Sequence, residues 1–434
     1  MTPNAVVTTV LFAAAAAVAT SRSAGPVEQP PSPSLAERPK GPAAKSGEFR
    51  ELWRSKVPNA QDSPFLAASS GVVFVSAGPL LSAIEAASGR IIGSFRSPHG
   101  EPLSSPTIAG RDTVVVADSR FLYCLGRTAH ELWRYSFGNK IISSEYPASQ
   151  PAVVGADGTI LVPASDGNLH ALSGAGKGLW QLPVGVYSRS SPAIPLAVSR
   201  KLLFIDARLD PTAPSGLTAI AILPSPGKIV SRRLHGESVS RVVAGVPFGI
   251  VVSSYVELKS KRGSTTIVSL DLDGNLRWRI SRGRHERLLG ITPGGDLLTT
   301  SQDADAAELG SVLDSWSPDG KLRRSSPVAD ELRLAVLAAD GSVYAVACGL
   351  SGALVRRFGP DLSPMSNVRI GDNCPTSAIM DREGQLFLTV RVYEPHGRDA
   401  TELIALRTPS RTGASRTWAM ARGDVEGSAK FQSE

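Results

Sequence analysis

Cysteine is almost missing from this chain. There are three in 434 residues (Cys124, Cys348 and Cys374), and none sits in a Cys-Cys or Cys-x-x-Cys pair. That spacing argues against a thioredoxin-like redox centre and against a cysteine-built metal site. Histidine is equally thin: His99, His130, His170, His235, His285 and His396 are scattered, with no pair at metal-ligand spacing. No Gly-x-Ser-x-Gly elbow singles out a serine nucleophile, and no helix-turn-helix, zinc-finger or RNA-recognition signature is present. After residue 25 there is neither an amphipathic helical stretch of useful length nor a second long apolar run. What these absences leave is an all-β chain without a recognisable catalytic constellation.

What is present is a repeated phrase. The chain is 42% hydrophobic, enough to bury a large core, and its many glycines and prolines fall mostly between apolar runs. A Ser-Pro-like step enters a short strand at Ser63-Pro64, Ser105-Pro106, Gln150-Pro151 and Ser191-Pro192. A β run follows, as in Gly71-Val72-Val73-Phe74-Val75, Thr113-Val114-Val115-Val116 and Gly158-Thr159-Ile160-Leu161-Val162. Then come a strand such as Asn168-Leu169-His170-Ala171-Leu172 and a Trp-centred strand such as Gly178-Leu179-Trp180-Gln181-Leu182. Four strands recurring about every 40–50 residues mark a β-propeller blade. Units begin near Glu51, Ile91, Glu131, Leu179, Val230, Leu276, Lys321 and Met365. Eight four-stranded blades are expected, with seven the alternative.

Turn chemistry supports that count. Asp166-Gly167, Asp273-Gly274, Asp319-Gly320 and Asp340-Gly341 lie between β runs and favour tight reversals. Insertions at 210–216 and 257–264 are expected as loops on a face of the ring. Residues 303–309 read equally as a helical turn or a loop. Ala152, Ala193, Ala219, Ala345 and Ala405 are expected on inner strands, near the axis. Trp53, Trp133, Trp180 and Trp278 recur at the outer-strand position, which suits packing between blades rather than a binding platform. The last unit, Pro375 to Arg407, lacks an outer strand. Closure of the ring by the chain termini therefore needs a donor, either Glu51 to Val57 or the segment around Trp418.

The N-terminal region reads separately. Val6 to Thr20 is an apolar run that suits the core of a secretory signal, although no Lys or Arg precedes Arg22. The organisation expected is a signal peptide over 1–24, a Pro/Ala-rich disordered linker over 25–48, a propeller over 49–424 and a tail over 425–434. No cysteine lies near the leader, so no lipid anchor is expected, and the mature chain is read as periplasmic or secreted.

The Ser-Pro entry, Gly-x-Val-aromatic-Val run, Asp-Gly turn, Leu-x-Ala-Leu strand and Trp strand together resemble the PQQ-type repeat of the quinoprotein-like propellers. The likeness covers about residues 50–424 and is nearest to the non-enzymatic eight-bladed propellers of the outer-membrane-assembly type. Thr417-Trp418-Ala419-Met420-Ala421-Arg422-Gly423-Asp424 is similar to a Trp-Pro-Met-x-Arg-x-Asp element of that group, with Ala419 in place of Pro. It also explains the Arg-Gly-Asp tripeptide without adhesion. Quinone-dependent relatives use a vicinal Cys-Cys disulfide and acidic calcium ligands. This chain has no Cys-Cys pair, and no Asp or Glu can be matched to a ligand position, so the resemblance does not bring the cofactor with it.

The formal charge of +7 raises the question of an acidic partner. Cationic residues gather at Arg232, Arg233, Lys259, Lys261, Arg262, Arg277, Arg279, Arg282, Arg284 and Arg287, interleaved with Glu237, Glu257 and Glu286. They read either as solvated loop charge or as one attractive rim. Asp271-Leu272-Asp273-Gly274-Asn275 opens like a calcium loop but lacks its closing Glu, so it reads as a hairpin turn. Cys348 and Cys374, in consecutive repeats, are either a disulfide or two buried thiols. His170 reads as a packed or hydrogen-bonded strand residue. The function expected is that of an exported, monomeric, non-catalytic scaffold for a protein partner. Lys259, Lys261, Arg262, Arg277, Arg279, Arg282, Arg284 and Arg287 are its candidate contacts, without metal, cofactor or nucleic acid. The alternative is a degenerate quinoprotein holding a small molecule in its central channel.

Overall fold

In a computed structural model, every described element is a β-strand. The structure describes residues 49–58, 64–138, 152–184 except 156 and 165, and the strands and many turns from 186 to 409, with Gly413. The expected leader (1–24), the linker (25–48), the tail (425–434), the 417–424 element, the 303–309 segment and all but the last residue of each insertion lie outside the described residues.

Eight antiparallel four-stranded sheets form among the described residues. In chain order, blades 1 to 7 occupy residues 65–96, 107–136, 153–183, 194–235, 239–281, 285–328 and 331–371. Blade 8 takes three strands from 375–407, and its outer strand is Arg50–Val57, which pairs with Asp399–Arg407 from Arg50↔Arg407 to Val57↔Thr401. The donor is thus the Glu51–Val57 segment, while Trp418 lies outside the described residues. The first strand of each blade lies innermost: those of blades 1 to 6 meet in succession, and that of blade 8, Pro375–Met380, meets those of blade 7 and of blade 1 (Phe65–Ser69). One short hairpin, Val186–Ser188 with Ser191–Pro192, links blades 3 and 4.

The core lies between blades, because a strand with both faces covered must be apolar on both. In Val343–Gly349 of blade 7, Val343, Ala345 and Ala347 pack toward blade 6, while Tyr344 and Val346 pack toward blade 8. Equivalent clusters join blades 8 and 1, 1 and 2, 2 and 3, and 5 and 6. The alanines expected near the axis are placed differently. Ala345 is on a second strand and Ala219 and Ala405 are on third strands, while Ala152 precedes the inner strand of blade 3. Ala345 and Ala405 are small because neighbouring blades press on them face to face. Ala193 lies outside the described residues.

The tryptophans do join blades. Trp53 donates from Nε1 to the Ala86 carbonyl of blade 1 (2.8 Å), and Trp278 donates to the Pro318 carbonyl of blade 6 (2.8 Å). Each indole covers a glycine in the turn before the next outer strand. A methyl group on Gly89, Gly176 or Gly320 would come within 2.5, 2.6 or 2.9 Å of Trp53, Trp133 or Trp278. All three glycines are left-handed, with φ of +74°, +79° and +80°. At two boundaries where the indole is missing, the glycine is missing too. Gly93 stands at the Trp register in blade 1 and Arg324 in blade 6, and the following turns carry Ala129 and Leu362 at φ +59°. Both of those side chains are buried, supplying apolar cover where no indole arrives.

Candidate functional site

The antiparallel meander sends its reversals to two ends of each blade. Inner-to-second and third-to-outer turns share one end, the turn face, and are short there, as at 70–71, 111–112, 127–130 and 317–321. Second-to-third hairpins and the crossovers to the next blade share the other end, the loop face. The longest connections all fall on this face: 97–106, 137–152, 184–193, 208–215, 257–263 and 303–310. Both insertions read from the sequence are therefore on one side of the ring.

That placement divides the basic residues. In blade 5, Val256 pairs with Ser264 and Thr266 with Ser281, so the 257–263 and 282–284 connections leave the same end of the sheet. Lys259, Lys261, Arg262, Arg282 and Arg284 belong to those connections, whose own placement lies outside the described residues. Arg287 is on the inner strand His285–Ile291 of blade 6. Arg277 and Arg279 do not join them. They are exposed on the outer strand Leu276–Ser281, at the circumference. The expectation of one cluster is corrected to this extent: strand pairing sends a contiguous stretch of sequence to two different surfaces.

The described crossovers on the loop face are fastened by buried polar groups. Asp118, fully buried in the blade 2 hairpin, accepts at Oδ2 from Ser97 Oγ (2.9 Å) and Tyr123 Oη (2.8 Å). Its Oδ1 accepts from the Arg120 and Phe121 amides at 2.8 Å each. Ser97 begins the 97–106 crossover, so one carboxylate ties blade 1's exit to blade 2. Burial and the Asp118 charge push the Tyr123 phenol far above its ordinary pKa, keeping it a donor. Glu101 in the same crossover accepts from the Ser119 amide (3.1 Å), the Ser119 hydroxyl and Arg120 Nε (3.2 Å).

Blades 2 and 3 carry a second network. Asp166 accepts from Asn168 Nδ2 (2.8 Å) and meets His170 Nε2 at 3.0 Å, while His170 Nδ1 meets Tyr135 Oη at 3.3 Å. Burial raises the Asp166 pKa, but the His170 and Asn168 hydrogen bonds outweigh it and the net shift is downward. Both ring nitrogens are engaged, one on each side of the blade boundary, so His170 is a bonded packing residue as expected. Asp271 accepts from the Asn275 amide and Nδ2, both at 2.8 Å, which closes a hairpin turn. Among the described residues, no group of three His, Cys, Asp or Glu is suited to hold a metal.

Cys348 and Cys374 are joined as a disulfide, with Cα atoms 5.3 Å apart at a sequence separation of 26. Cys348 is near the end of the second strand of blade 7, and Cys374 immediately precedes the inner strand of blade 8. The bond staples the last crossover to the loop face. Replacing both cysteines by alanine should lower unfolding stability by about 3 kcal/mol, from the loop entropy released to the unfolded chain. Denaturant unfolding in oxidising buffer reads this. A loss under about 0.5 kcal/mol would show that the staple does not constrain the unfolded state. Cys124 is different: buried in blade 2, its thiol is pushed up to about 12 by lost hydration, which makes it inert packing.

Residues 43–204, covering the outer strand of blade 8, blades 1 to 3 and the start of blade 4, match the family described as outer membrane protein assembly factor BamB. No curated protein matches the chain. Among solved structures, BamB from Moraxella catarrhalis aligns with a TM-score of 0.52 at 14% identity, covering 82% of this chain and 97% of that one. At that identity the likeness is one of fold. Together these matches bear out the PQQ-type propeller repeat and the likeness to assembly-type propellers read from the sequence.

Proposed function

We propose that this chain is an exported, monomeric, non-catalytic propeller that holds a protein partner on its loop face. The observation that carries the reading is the concentration of every long connection at one end of the ring, on a scaffold whose described crossovers are locked by buried hydrogen bonds and a disulfide. A rigid ring presenting variable loops suits recognition rather than turnover. The matched family's description, an assembly factor, supports a partner in the cell envelope. Export is supported by the apolar run Val6 to Thr20 and by the disulfide, which persists in oxidising compartments.

The contacts assigned to the partner are Lys259, Lys261, Arg262, Arg282 and Arg284, which strand pairing sends to the loop face of blade 5. The test compares three chains in cross-linking from an envelope fraction: wild type, a variant with those five residues neutralised, and a control with Arg111 and Lys177 of the turn face neutralised. Wild type and control should capture the same protein, and the five-residue variant should lose it. Equal capture by all three would remove this surface from the proposal.

A further inference from the structure

Charge on the ring's circumference is uneven. Three consecutive outer strands, Lys228–His235, Leu276–Ser281 and Leu322–Val328 of blades 4, 5 and 6, carry Lys228, Arg232, Arg233, Arg277, Arg279, Arg323 and Arg324 and no carboxylate. Their formal charge of +7 equals that of the whole chain. The outer strands of blades 1 to 3 hold only Arg96 and Arg134, with Glu131 beside them. Arg277, Arg279, Arg323 and Arg324 are all exposed. Arg323 is partly offset by Asp296 at 2.7 Å.

Outer strands of blades 5 and 6 each display a large apolar side chain near their start, as those of blades 1, 2, 3 and 7 do with Ile91, Leu132, Leu179 and Met365, so the wall is set apart by its charge. Leu276 is 60% exposed and Leu322 44%. They occupy the same register on neighbouring blades, opposite Leu270 and Trp316, each followed by an arginine at a β-bulge. Basic residues and bulges on open strand edges also serve to block edge-to-edge pairing. That purpose does not call for cations alone over three adjacent blades. Arginine with a neighbouring aliphatic side chain suits an anionic bilayer surface, where guanidinium groups meet phosphates and the leucine enters the acyl boundary.

We propose that the outer wall of blades 4 to 6 binds anionic phospholipid, leaving the loop face free. The experiment is vesicle flotation of the purified full chain with phosphatidylcholine alone or mixed with phosphatidylglycerol. The chain should float with the mixed vesicles only, and raised salt should release it. Arg279→Gln with Arg324→Gln should weaken binding by about 25-fold, each cation near the surface contributing roughly fivefold. Leu276→Ser with Leu322→Ser should weaken it at unchanged charge. Arg279→Lys with Arg324→Lys should retain it, and Arg96→Gln with Arg369→Gln, on blades 1 and 7, should change nothing. Equal losses in that last control, or undiminished binding by the Gln pair, would overturn the proposal. So would full displacement by soluble glycerophosphate together with unaltered binding by the Ser pair, since the wall would then take free phosphate rather than a bilayer. Lipid binding is read without any protein partner, so its failure leaves the loop-face proposal standing.

Discussion

A chain lacking residues 1–57 should no longer unfold in one cooperative step, whereas a chain lacking only 1–48 should melt like the full protein. The strand Arg50–Val57 is the outer strand of blade 8, brought to Asp399–Arg407 from the opposite end of the sequence. Without it, the Asp399–Arg407 edge is open along its length. Val57 and Trp53 also leave the cluster in which Phe387, Leu403 and Ala405 of blade 8 meet Val73, Val75 and Ile84 of blade 1. Losing a packed tryptophan alone costs about 3–5 kcal/mol. Arg54 goes too. It binds Glu51 and Glu402 at 3.0 Å each and the Ile370 carbonyl of blade 7 at 2.9 Å, and Glu51 foremost raises its pKa, with Glu402 adding to the effect. Summed, the losses approach the roughly 5–15 kcal/mol that holds a typical domain folded. Circular dichroism melting and sedimentation should show a broad transition and association through the open edge. A synthetic peptide of residues 49–58 should restore a sharp transition, and one carrying Trp53→Ala should not. If the truncated chain melts sharply without peptide, the ring does not depend on this strand.

The same strand shows what was readable in the sequence. Repetition made the blades visible: eight outer strands start at or near the positions where the repeat begins, and Trp53, Trp133, Trp180 and Trp278 sit on outer strands. The donor for blade 8 was legible because a Trp strand stood spare at one end. The two insertions were legible as departures from the period. Their common face was not, because it follows from strand direction rather than from composition. The two destinations of the basic stretch were hidden for the same reason, since one run of sequence passes from the turn face to the loop face within six residues of blade 5. The disulfide was undecidable because a separation of 26 residues carries no information about a 5.3 Å Cα approach. Asp118 was invisible as a tie, since its partner Ser97 lies in another blade's exit and neither belongs to the repeated phrase.

The pairing of indole and glycine stands in the sequence only as a spacing of about forty residues, and it makes the second strong prediction. Gly320→Leu should cost roughly 4 kcal/mol, combining the left-handed backbone penalty of a residue with a Cβ and the overpacking against Trp278. The φ of +80° and the 2.9 Å approach to the indole act together. Trp278→Arg alone should cost about 3 kcal/mol, through lost packing and the lost hydrogen bond to the Pro318 carbonyl. The double variant then copies what the next boundary already uses, where Arg324 precedes a turn carrying buried Leu362. With the indole gone, the leucine has the vacated space to fill, so the two losses should fall short of their sum by about 2 kcal/mol. Denaturant unfolding of the four proteins measures that coupling directly. Strict additivity would mean that Ala129 and Leu362 are at their positions for reasons unconnected with the missing tryptophans. A clear shortfall would mean that these boundaries exchange an indole over glycine for a buried side chain in the turn, by two residues about forty positions apart.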